Sequence, residues 1–320
     1  MGYKLAGFDV IGNVEIDPKM NNIYNTNHKP KYNFLMDIRD FNKIPNEELS
    51  PELFDLDILD GSPPCTTFSI GNTKREDDWG VERKFKEGQK LQTLDDLSFV
   101  FIETVAKLKP KVVLMENVEG LTKGKAWAYV QRIYKELSAI GYKPKHWLVR
   151  GDKMGVPQKR SRFILIAHRN DLNYPELNLS FNYKRICFET IKDGVGFRVE
   201  KEDSECQRLL DLATNQDKTL CDVSMRVEGV YKLYTHALLT TGRVFPTIRA
   251  GNPDYYRLDE KTKVSPEDLI NASTFPQDYI FENNKLGHVC YVVGMSVPPV
   301  MIKRIAKEIY QQWFKLEDSL

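Results

Sequence analysis

The chain has 320 residues, of which 41% are hydrophobic and 28% are charged, and its formal net charge is +1. This composition demands no disorder and suffices for one large domain and a smaller one. No apolar run is long enough to span a membrane and no charged-then-apolar leader is evident, so we expect a cytoplasmic protein without a membrane partner. The five cysteines form no Cys-x-x-Cys pair, which excludes a disulfide framework and a zinc site; we expect no metal.

Apolar strands alternate with helical patterns over the first 170 residues or so. The alternation predicts strands at residues 9–15, 56–60, 112–115, 146–150 and 163–167, and helices near residues 94–108 and 126–140. It is typical of a parallel, doubly wound α/β sheet. From about residue 170 to 246 the pattern breaks into short pieces without a clear period. Helical patterns return at residues 264–274 and 298–314.

A lone cysteine follows the second predicted strand. That strand stops at Gly61, and Pro63 and Pro64 form a rigid turn before Cys65. Catalytic groups of α/β proteins sit at such strand ends. Taken alone, however, the motif is more often a turn with a buried thiol than a nucleophile.

Three further runs carry polar side chains at strand or turn positions. Glu116 and Asn117 end the strand at residues 112–115, where an ordinary solvated strand exit is the simpler interpretation. Arg160 and Arg162 stand two apart and therefore on one face of the strand they open; alone they favour surface charges or phosphate contacts. Residues 293–306 form a turn with two prolines that enters an amphipathic helix.

Taken together and in this order, the four runs resemble the cytosine-5 DNA methyltransferases. That family has a Pro-Cys loop, a Glu-Asn-Val strand end, a Gln-x-Arg-x-Arg strand and a Gly-Asn-Ser-Val-Pro-Pro turn in the same sequence, and four motifs in order are very hard to obtain by chance. The resemblance implies an α/β fold: a Rossmann-like S-adenosylmethionine-dependent methyltransferase sheet with an inserted small, irregular target-recognition domain.

The resemblance also implies a domain division. Residues 1–170 would form the catalytic and cofactor domain, residues 171–284 the target-recognition domain, and residues 285–320 a C-terminal helix that returns to the catalytic domain. The expected partner is double-stranded DNA, and we otherwise expect a monomer.

The residues of the four motifs can be assigned roles in the methylation of cytosine. Cytosine C5 is too weakly nucleophilic to take a methyl group directly, so a thiolate must add to C6, and Cys65 is the candidate. The resemblance implies that Glu116 contacts N3 and the exocyclic amine, and that Asn117 anchors the Cys65 loop. It implies that Arg162, with Arg160, holds the base carbonyl and the carboxylate. The cytosine must be extruded from the duplex to reach them.

The resemblance implies S-adenosylmethionine as cofactor and assigns its contacts residue by residue. Glu15 matches the acid that takes the ribose hydroxyls, and Asp37 and Ile38 match the adenine contacts. The remaining cofactor contacts are Ile16, Pro64, Leu97, Ser296 and Val297. Met295 stands where the family usually has asparagine.

Target recognition is expected from loops between the Gln158 strand and Thr247. The predicted DNA contacts are Gln158, Arg226, Lys232, Thr240 and Arg243, and phosphate contacts or folding roles explain them equally well. Basic residues are also concentrated in residues 74–90. This segment is either a lid that contacts phosphates or a solvated loop.

The family's glycine-rich Phe-x-Gly-x-Gly loop, which follows its central first strand, is not found. The chain aligns from inside the next helix, so about 15 to 20 residues of the usual fold are expected to be missing. Three explanations stay open: an internal methionine taken as the start, a separate chain that supplies the strand and loop, or a lineage that lost cofactor binding. Two strand edges would be left unpaired unless the chain rearranges, recruits a partner or moves an edge strand in.

The sequence therefore predicts a DNA cytosine-5 methyltransferase that acts through a Cys65 adduct, in a restriction-modification or phage context. A tRNA cytosine-5 methyltransferase shares the same signatures and is the alternative enzyme. A catalytically silent DNA-binding homologue is the alternative suggested by the glycine-rich loop.

Overall fold

The chain forms two compact units. The computed structural model describes residues 1–63, 97–124, 126–198, 204–251 and 253–315. One unit, called here the sheet unit, comprises Val10–Val149, Ser161–Leu179 and Ile309–Leu320. The other, called the helix-rich unit, comprises Met1–Asp9, Arg150–Arg160 and Ser180–Glu308.

Strands and helices alternate in the sheet unit, as the sequence predicts. Its elements in chain order are β1 (Gly12–Glu15), α2 (Pro18–His28), β2 (Tyr32–Leu35), α3 (Ile38–Lys43), β3 (Ile58–Gly61), α4 (Leu97–Leu108), β4 (Val112–Val118), α5 (Ala126–Ala139), β5 (Tyr142–Arg150) and β6 (Ser161–Arg169), with α1 of the helix-rich unit (Gly2–Ala6) preceding them. A π-helical turn, Tyr310–Phe314, packs back onto this unit through Trp313, which stacks on Tyr174.

The larger sheet is mixed rather than parallel. Its strand order is β3-β4-β6-β5, and β3 runs parallel to β4. β6 runs antiparallel to β4, so the prediction of a wholly parallel sheet was wrong for this strand. The physical reason is the connection: α5 crosses over before β5, but no α-helix separates β5 from β6, and a parallel crossover needs such a length of chain.

The described strands of the sheet unit lie in two separate sheets. Within the described residues, β1 pairs with β2 alone and β3 pairs with β4 alone. All of β1 is half-buried, whereas Val112–Met115 of β4 are fully buried. Parallel strands usually have both edges and both faces covered. No described strand pairs with the second edge of β1 or of β3, and the missing strand between them stays a prediction.

Two apolar clusters hold the sheet unit together. The larger packs α4 and α5 against β4 and β6, with Val105, Val113 and Leu165 fully buried. The smaller, centred on Phe41, Leu49, Leu53 and Leu108, receives Val14 of β1 and Leu59 of β3. Each large side chain buried in this way contributes about 1.5–3 kcal/mol. Apolar packing therefore joins β1 and β3 to one core although no ladder joins them.

The helix-rich unit contains a small core that the sequence pattern did not reveal. Its further elements are α6 (Ser204–Leu212), α7 (Leu220–Glu228), β7 (Ala237–Leu239), β8 (Tyr255–Arg257), β9 (Thr262–Lys263), α8 (Pro266–Ala272), α9 (Leu286–Met295) and α10 (Pro299–Ile309). Leu209, Leu220, Leu238 and Tyr256 are buried together. Capping boxes start α7 at Thr219 and α8 at Ser265, so local signals fix both helices.

The two units divide the chain differently from the predicted domains at residues 1–170, 171–284 and 285–320. Gly2 of α1 lies against α10 so closely that a Cβ on it would stand 2.5 Å from Ile302 Cβ. Arg304 of α10 donates to the carbonyl of Met154 at 2.5 Å. Residues 1–9, residues 150–160 and most of the C-terminal helix therefore pack with residues 180–308, and only the chain from Ile309 returns to the sheet unit.

One stretch of the described residues, Leu286–Phe314, is long and apolar enough to pass a composition test for a membrane span, contrary to the expectation from the sequence. Most of it is buried inside the protein, and Ser296 leaves the helical conformation between α9 and α10. Burial in a protein core accounts for this apolar character.

Candidate active site

The carboxyl end of β4 presents two polar side chains to opposite faces of the sheet. In the ladder with β6, Glu116 lies opposite Ile164, Asn117 opposite Phe163 and Val118 opposite Arg162. Successive strand residues alternate between faces, so Glu116 shares a face with Arg162 on the neighbouring strand, and Asn117 points the other way.

Glu116 and Arg162 form a close ion pair. Arg162 Nε lies 2.5 Å from Glu116 Oε1, and both side chains are 12% exposed. The Nε–H direction does not meet hydrogen-bond geometry, and Arg162 Nη1 donates to the carbonyl of Ser161. Catalytic hydrogen bonds are often poorly aligned before substrate binds. Two charged side chains of the predicted site are therefore in contact, and their role toward a base stays a prediction.

Asn117 holds the chain that leaves β3. Its Nδ2 donates to the carbonyl of Pro63 at 3.3 Å, and its Oδ1 accepts from the backbone N–H of Val118. Asn117 is 7% exposed. Pro64 and Cys65, which follow Pro63 in sequence, lie outside the described residues, as does the basic segment 74–90. The contact is consistent with the predicted anchoring of the Cys65 loop.

A second group of acids lies at the carboxyl ends of β1 and β2. Glu15 ends β1 opposite Leu35, and the N–H of Met36 donates to the Glu15 carbonyl, so Glu15 and Asp37 share this end of the two-stranded sheet. Burial raises the pKa of the Glu15 carboxyl above its ordinary value, although backbone N–H groups of Asp17 and Ile16 partly oppose this effect.

Asp37 and Ile38 begin α3. Asp37 is the N-cap residue, and its carboxylate accepts from the backbone N–H of Arg39 at 2.8 Å. Ile38 and Ile16 are half-buried, and Leu97 is buried at the start of α4. Ile38 also packs against the larger core cluster.

These residues fit the adenosine part of S-adenosylmethionine. A carboxylate has about four acceptor positions, and the Asp17 N–H occupies Glu15 Oε1 at 2.8 Å, so acceptor capacity remains for ribose hydroxyls. Half-buried Ile16 and Ile38 supply the apolar surface that an adenine ring requires. No group of three or more His, Cys, Asp or Glu residues suited to a metal occurs in the described part of the chain.

Sequence analysis missed Asp17. It is 5% exposed, its N–H binds Glu15, and its carboxylate caps α2 through the N–H groups of Lys19 and Met20. Asp-Pro directly after a strand is a recognisable N-cap followed by proline at the first helical position. That signal identifies Asp17 as the helix cap, whereas the contact of its backbone N–H with Glu15 is seen only in the structure.

Arg160 and Gln158 lie in the helix-rich unit and are buried. Arg160 is 2% exposed and donates to the carbonyls of Ile248 and Gly294, both at 2.8 Å. Gln158 is 1% exposed and bonds to Ser273 and to the backbone of Ile248 and Ala272. The predicted contacts of Arg160 with the base and of Gln158 with DNA stay predictions, and the polar atoms concerned serve the fold here.

The other predicted DNA contacts also bind within the protein. Arg226 pairs with Asp217 at 2.8 Å, and Arg243 donates to the backbone carbonyls of Asp217 and Asn215. Lys232 pairs with two glutamates, Glu205 and Glu228, while Thr240 is buried. Their role in DNA binding stays a prediction.

Ser296 and Val297 lie in the turn between α9 and α10. Ser296 is the C-cap of α9, its hydroxyl donates to the carbonyl of Val292 at 2.7 Å, and both turn residues are half-buried. Met295, where the family usually has asparagine, is 61% exposed.

The fold is similar to that of two methyltransferases of known structure. A DNA modification methyltransferase encoded within an E. coli prophage superposes with a TM-score of 0.64 and 19% identity, over 97% of this chain and 94% of that protein. DNMT2 of Spodoptera frugiperda gives a TM-score of 0.63 and 15% identity, over 97% and 95%.

The chain belongs to the C-5 cytosine-specific DNA methylases, because the family model of that description matches residues 1–311. It is similar to the type II methyltransferase M.Bsp6I of Bacillus sp. (strain RFL6), with 24% identity over 97% of this chain and 94% of that protein. M.FnuDI of Fusobacterium nucleatum is 30% identical over 61% of this chain and 51% of its own length. The family predicted from the four motifs is confirmed.

Proposed function

We propose that this chain transfers a methyl group from S-adenosylmethionine to C5 of a flipped cytosine in a specific sequence of double-stranded DNA. The observation that carries the proposal is the end of β4, where Glu116 meets Arg162 on one face and Asn117 binds Pro63 on the other. Similarity to type II methyltransferases supports a restriction-modification or phage setting and a cytoplasmic location.

The proposed chemistry begins with the Cys65 thiolate. Its sulfur forms a bond to C6, and the C5–C6 π electrons move so that C5 becomes nucleophilic. C5 then takes the methyl group, whose bond to the sulfonium sulfur breaks with its electron pair left on that sulfur as a neutral thioether. C5 loses its proton to a base, and the electron pair of that C–H bond re-forms the C5–C6 double bond. The C6–S bond breaks in the same step and returns the thiolate.

The described residues support this sequence from fixed positions. Glu116, with Arg162 beside its carboxylate, would hydrogen-bond to the N3 edge and the exocyclic amine of the flipped base, where charge changes during thiolate addition. Asn117 would fix the backbone two residues before Cys65. Both side chains belong to β4, which has a strand neighbour on each side, so little reorganisation is needed.

S-adenosylmethionine supplies an electrophilic methyl group on a sulfonium centre. Glu15 would accept the ribose hydroxyls, Asp37 and Ile38 would contact the adenine, and Asp17 would hold Glu15 in place. Ile16, Pro64, Leu97, Ser296 and Val297 complete the proposed cofactor contacts.

We include in the proposal a second polypeptide that supplies a strand and a glycine-rich loop to the sheet unit. The support is the pair of open edges, since β1 and β3 each lack a second strand neighbour among the described residues and both pack on the cluster around Phe41. A strand that pairs with both edges would join the two sheets into one.

The test is covalent capture on DNA that contains 5-fluorocytosine. Fluorine at C5 cannot leave as a cation, so the methylated adduct cannot break down and the protein stays attached to the DNA. We expect a DNA-linked band only with S-adenosylmethionine and not with Cys65→Ser, whereas Cys187→Ser, a half-buried cysteine elsewhere, retains it.

Each alternative predicts another result in the same assay. A tRNA methyltransferase would be captured on 5-fluorocytosine tRNA but not on DNA. A silent homologue would bind DNA without any adduct, and either result, obtained with the second polypeptide present, would exclude the proposed activity.

A further inference from the structure

Two side chains of one short segment bind three separate backbone segments of the helix-rich unit. Gln158 Nε2 donates to the Ala272 carbonyl at 3.3 Å and to Ser273 Oγ at 3.2 Å, and its Oε1 accepts from the Ile248 N–H at 3.1 Å. All three contacts are buried, so water does not compete for them.

Arg160 continues this set of contacts. Its Nη1 donates to the carbonyl of Ile248 and its Nη2 to the carbonyl of Gly294, each at 2.8 Å. Ile248 is therefore held from both sides, through its N–H by Gln158 and through its carbonyl by Arg160. Hydrogen bonds from a charged donor are about twice as strong as neutral ones, so these contacts fix positions rather than merely fill space.

Gly294 in turn touches the chain that Gln158 and Arg160 hold. A Cβ on Gly294 would lie 2.5 Å from the Arg249 carbonyl carbon and closer still to the Ala250 nitrogen, an approach that only glycine permits. The thiol of Cys290, also in α9, approaches the Arg249 carbonyl at 3.4 Å. The end of α9 and residues 248–250 thus form one packed junction.

We propose that Gln158 and Arg160 are positioning residues that fix the turn Gly294–Val297, and that Arg160 does not contact the reacting base. The proposal rests on the proposed function in one respect, namely that Ser296 and Val297 contact the cofactor. Two side chains that are 1% and 2% exposed and bonded to five backbone or hydroxyl groups act through the segments they hold.

The choice of arginine follows from the geometry. A planar guanidinium presents donors in a fixed fork and reaches two carbonyls at once, whereas a lysine ammonium is a point charge on a flexible stem. Arg160→Lys keeps the charge but cannot hold Ile248 and Gly294 together. The substitution therefore separates positioning from charge.

Hydrogen exchange followed by mass spectrometry tests the positioning directly and needs no cofactor. In Arg160→Lys we expect the amides of residues 293–297 and 247–250 to exchange about tenfold faster, because a hydrogen bond to a charged group is lost. Helix α7 of the same unit should be unchanged. Lys159→Ala is the matched control, since that side chain lies between the two in sequence and is exposed.

Gln158→Met provides a second variant should Arg160→Lys not fold. It removes the acceptor of the Ile248 N–H, so the amide of Ile248 should exchange about tenfold faster. The amides of residues 293–297 should also exchange faster. Unchanged exchange at residues 293–297 in the folded variant would overturn the proposal.

Kinetics then separate positioning from a merely structural role. Arg160→Lys should raise the KM for S-adenosylmethionine about tenfold and change kcat less than about twofold, because the loss lies in cofactor placement. Ser296→Ala serves as comparator. A raised KM in Ser296→Ala with an unchanged KM in Arg160→Lys would overturn the inference, whereas an unchanged KM in Ser296→Ala would remove the proposed cofactor contact and leave the exchange result to decide positioning.

Discussion

Arg162 Nε and Glu116 Oε1 lie 2.5 Å apart across neighbouring antiparallel strands, on a face from which both side chains remain 12% exposed. The two charges therefore compensate each other before any base arrives. The flipped cytosine would meet a carboxylate that is already oriented, and the cost of holding it there is met by folding rather than by substrate binding.

Substitutions in this pair should reduce kcat more than they change KM. We expect Glu116→Gln to lower kcat at least about 100-fold, because an amide cannot match the carboxylate as charge develops on the base. Arg162→Lys should cost about tenfold or more, since lysine lacks the fixed donor geometry. Methyl transfer to DNA under single-turnover conditions measures both.

The double variant Glu116→Gln/Arg162→Lys is the control for coupling. Because the two residues act together, its loss of rate should be much smaller than the product of the two single losses. Multiplicative losses would show that the two side chains act independently, contrary to the structural pair.

The bond from Asn117 to Pro63 should matter for adduct formation rather than for stability alone. We expect Asn117→Ala to slow covalent capture on 5-fluorocytosine DNA about tenfold or more, because the chain two residues before Cys65 loses its anchor. The proposed cofactor contacts of Glu15 and Asp37 should be retained, since Glu15 ends β1 and Asp37 caps α3. Equal capture rates in Asn117→Ala and the unsubstituted protein would contradict the anchoring role.

A strand-forming peptide should bind the open edges of β1 and β3. The peptide would carry a strand and a glycine-rich Phe-x-Gly-x-Gly loop of the kind typical of the family, about 15 to 20 residues long. Pairing on both edges should slow amide exchange in Gly12–Glu15 and Ile58–Gly61 by about tenfold, and a peptide of the same composition in scrambled order should not. Unchanged exchange with both peptides would remove the second polypeptide from the proposal.

The sequence predicted the part of the fold in which apolar runs are long and bounded by clear breaks. The strands β4 and β6 and the helices α4 and α5 appear close to their expected positions, because their cores are continuous and their ends carry proline, glycine or charge. By contrast, α2 is rich in asparagine and has little apolar periodicity. Only the N-cap Asp17 and Pro18 indicate this helix in the sequence.

The candidate site residues were also predictable only in part. The positions of Glu15, Glu116 and Asn117 could be predicted, because each residue lies at the carboxyl end of a strand that its apolar sequence indicates. The hydrogen-bond partners of Gln158 and Arg160 could not be predicted, because they belong to residues 248, 272 and 294, far away along the chain. Side chains that serve the backbone cannot be distinguished by motif from side chains that serve a ligand.

Gly61 should not tolerate a side chain. A Cβ at this position would lie 2.5 Å from Cε2 of the buried Phe101 ring, which belongs to the larger core of the sheet unit. We expect Gly61→Ala to lower the free energy of unfolding by about 1–3 kcal/mol, as measured by urea denaturation. Gly287→Ala is the control because a Cβ on Gly287 would meet nothing within 4 Å and alanine favours the α9 helix. A similar loss in both variants would argue against the contact with Phe101.

His168 should make the protein less stable below about pH 6.5. Burial lowers the pKa of its imidazole, the charge of Lys143 acts in the same direction, and the Arg169 carbonyl partly opposes them; the ring packs on Tyr174 and Trp313. Because the folded pKa lies below the unfolded value of about 6.5, the unfolded chain takes up the proton first as the pH falls.

The stability that His168 contributes is therefore fully present above the unfolded pKa of about 6.5. It is lost as the pH falls from that unfolded pKa toward the folded pKa. Urea unfolding at pH 7.5 and pH 5.5 should show a larger fall in the free energy of unfolding for the unsubstituted protein than for His168→Gln, which has no imidazole to titrate. Contributions from carboxylates and from His146, whose pKa burial also lowers, are common to both proteins and cancel in the difference. Equal falls in the two proteins would show that His168 does not contribute to the acid sensitivity.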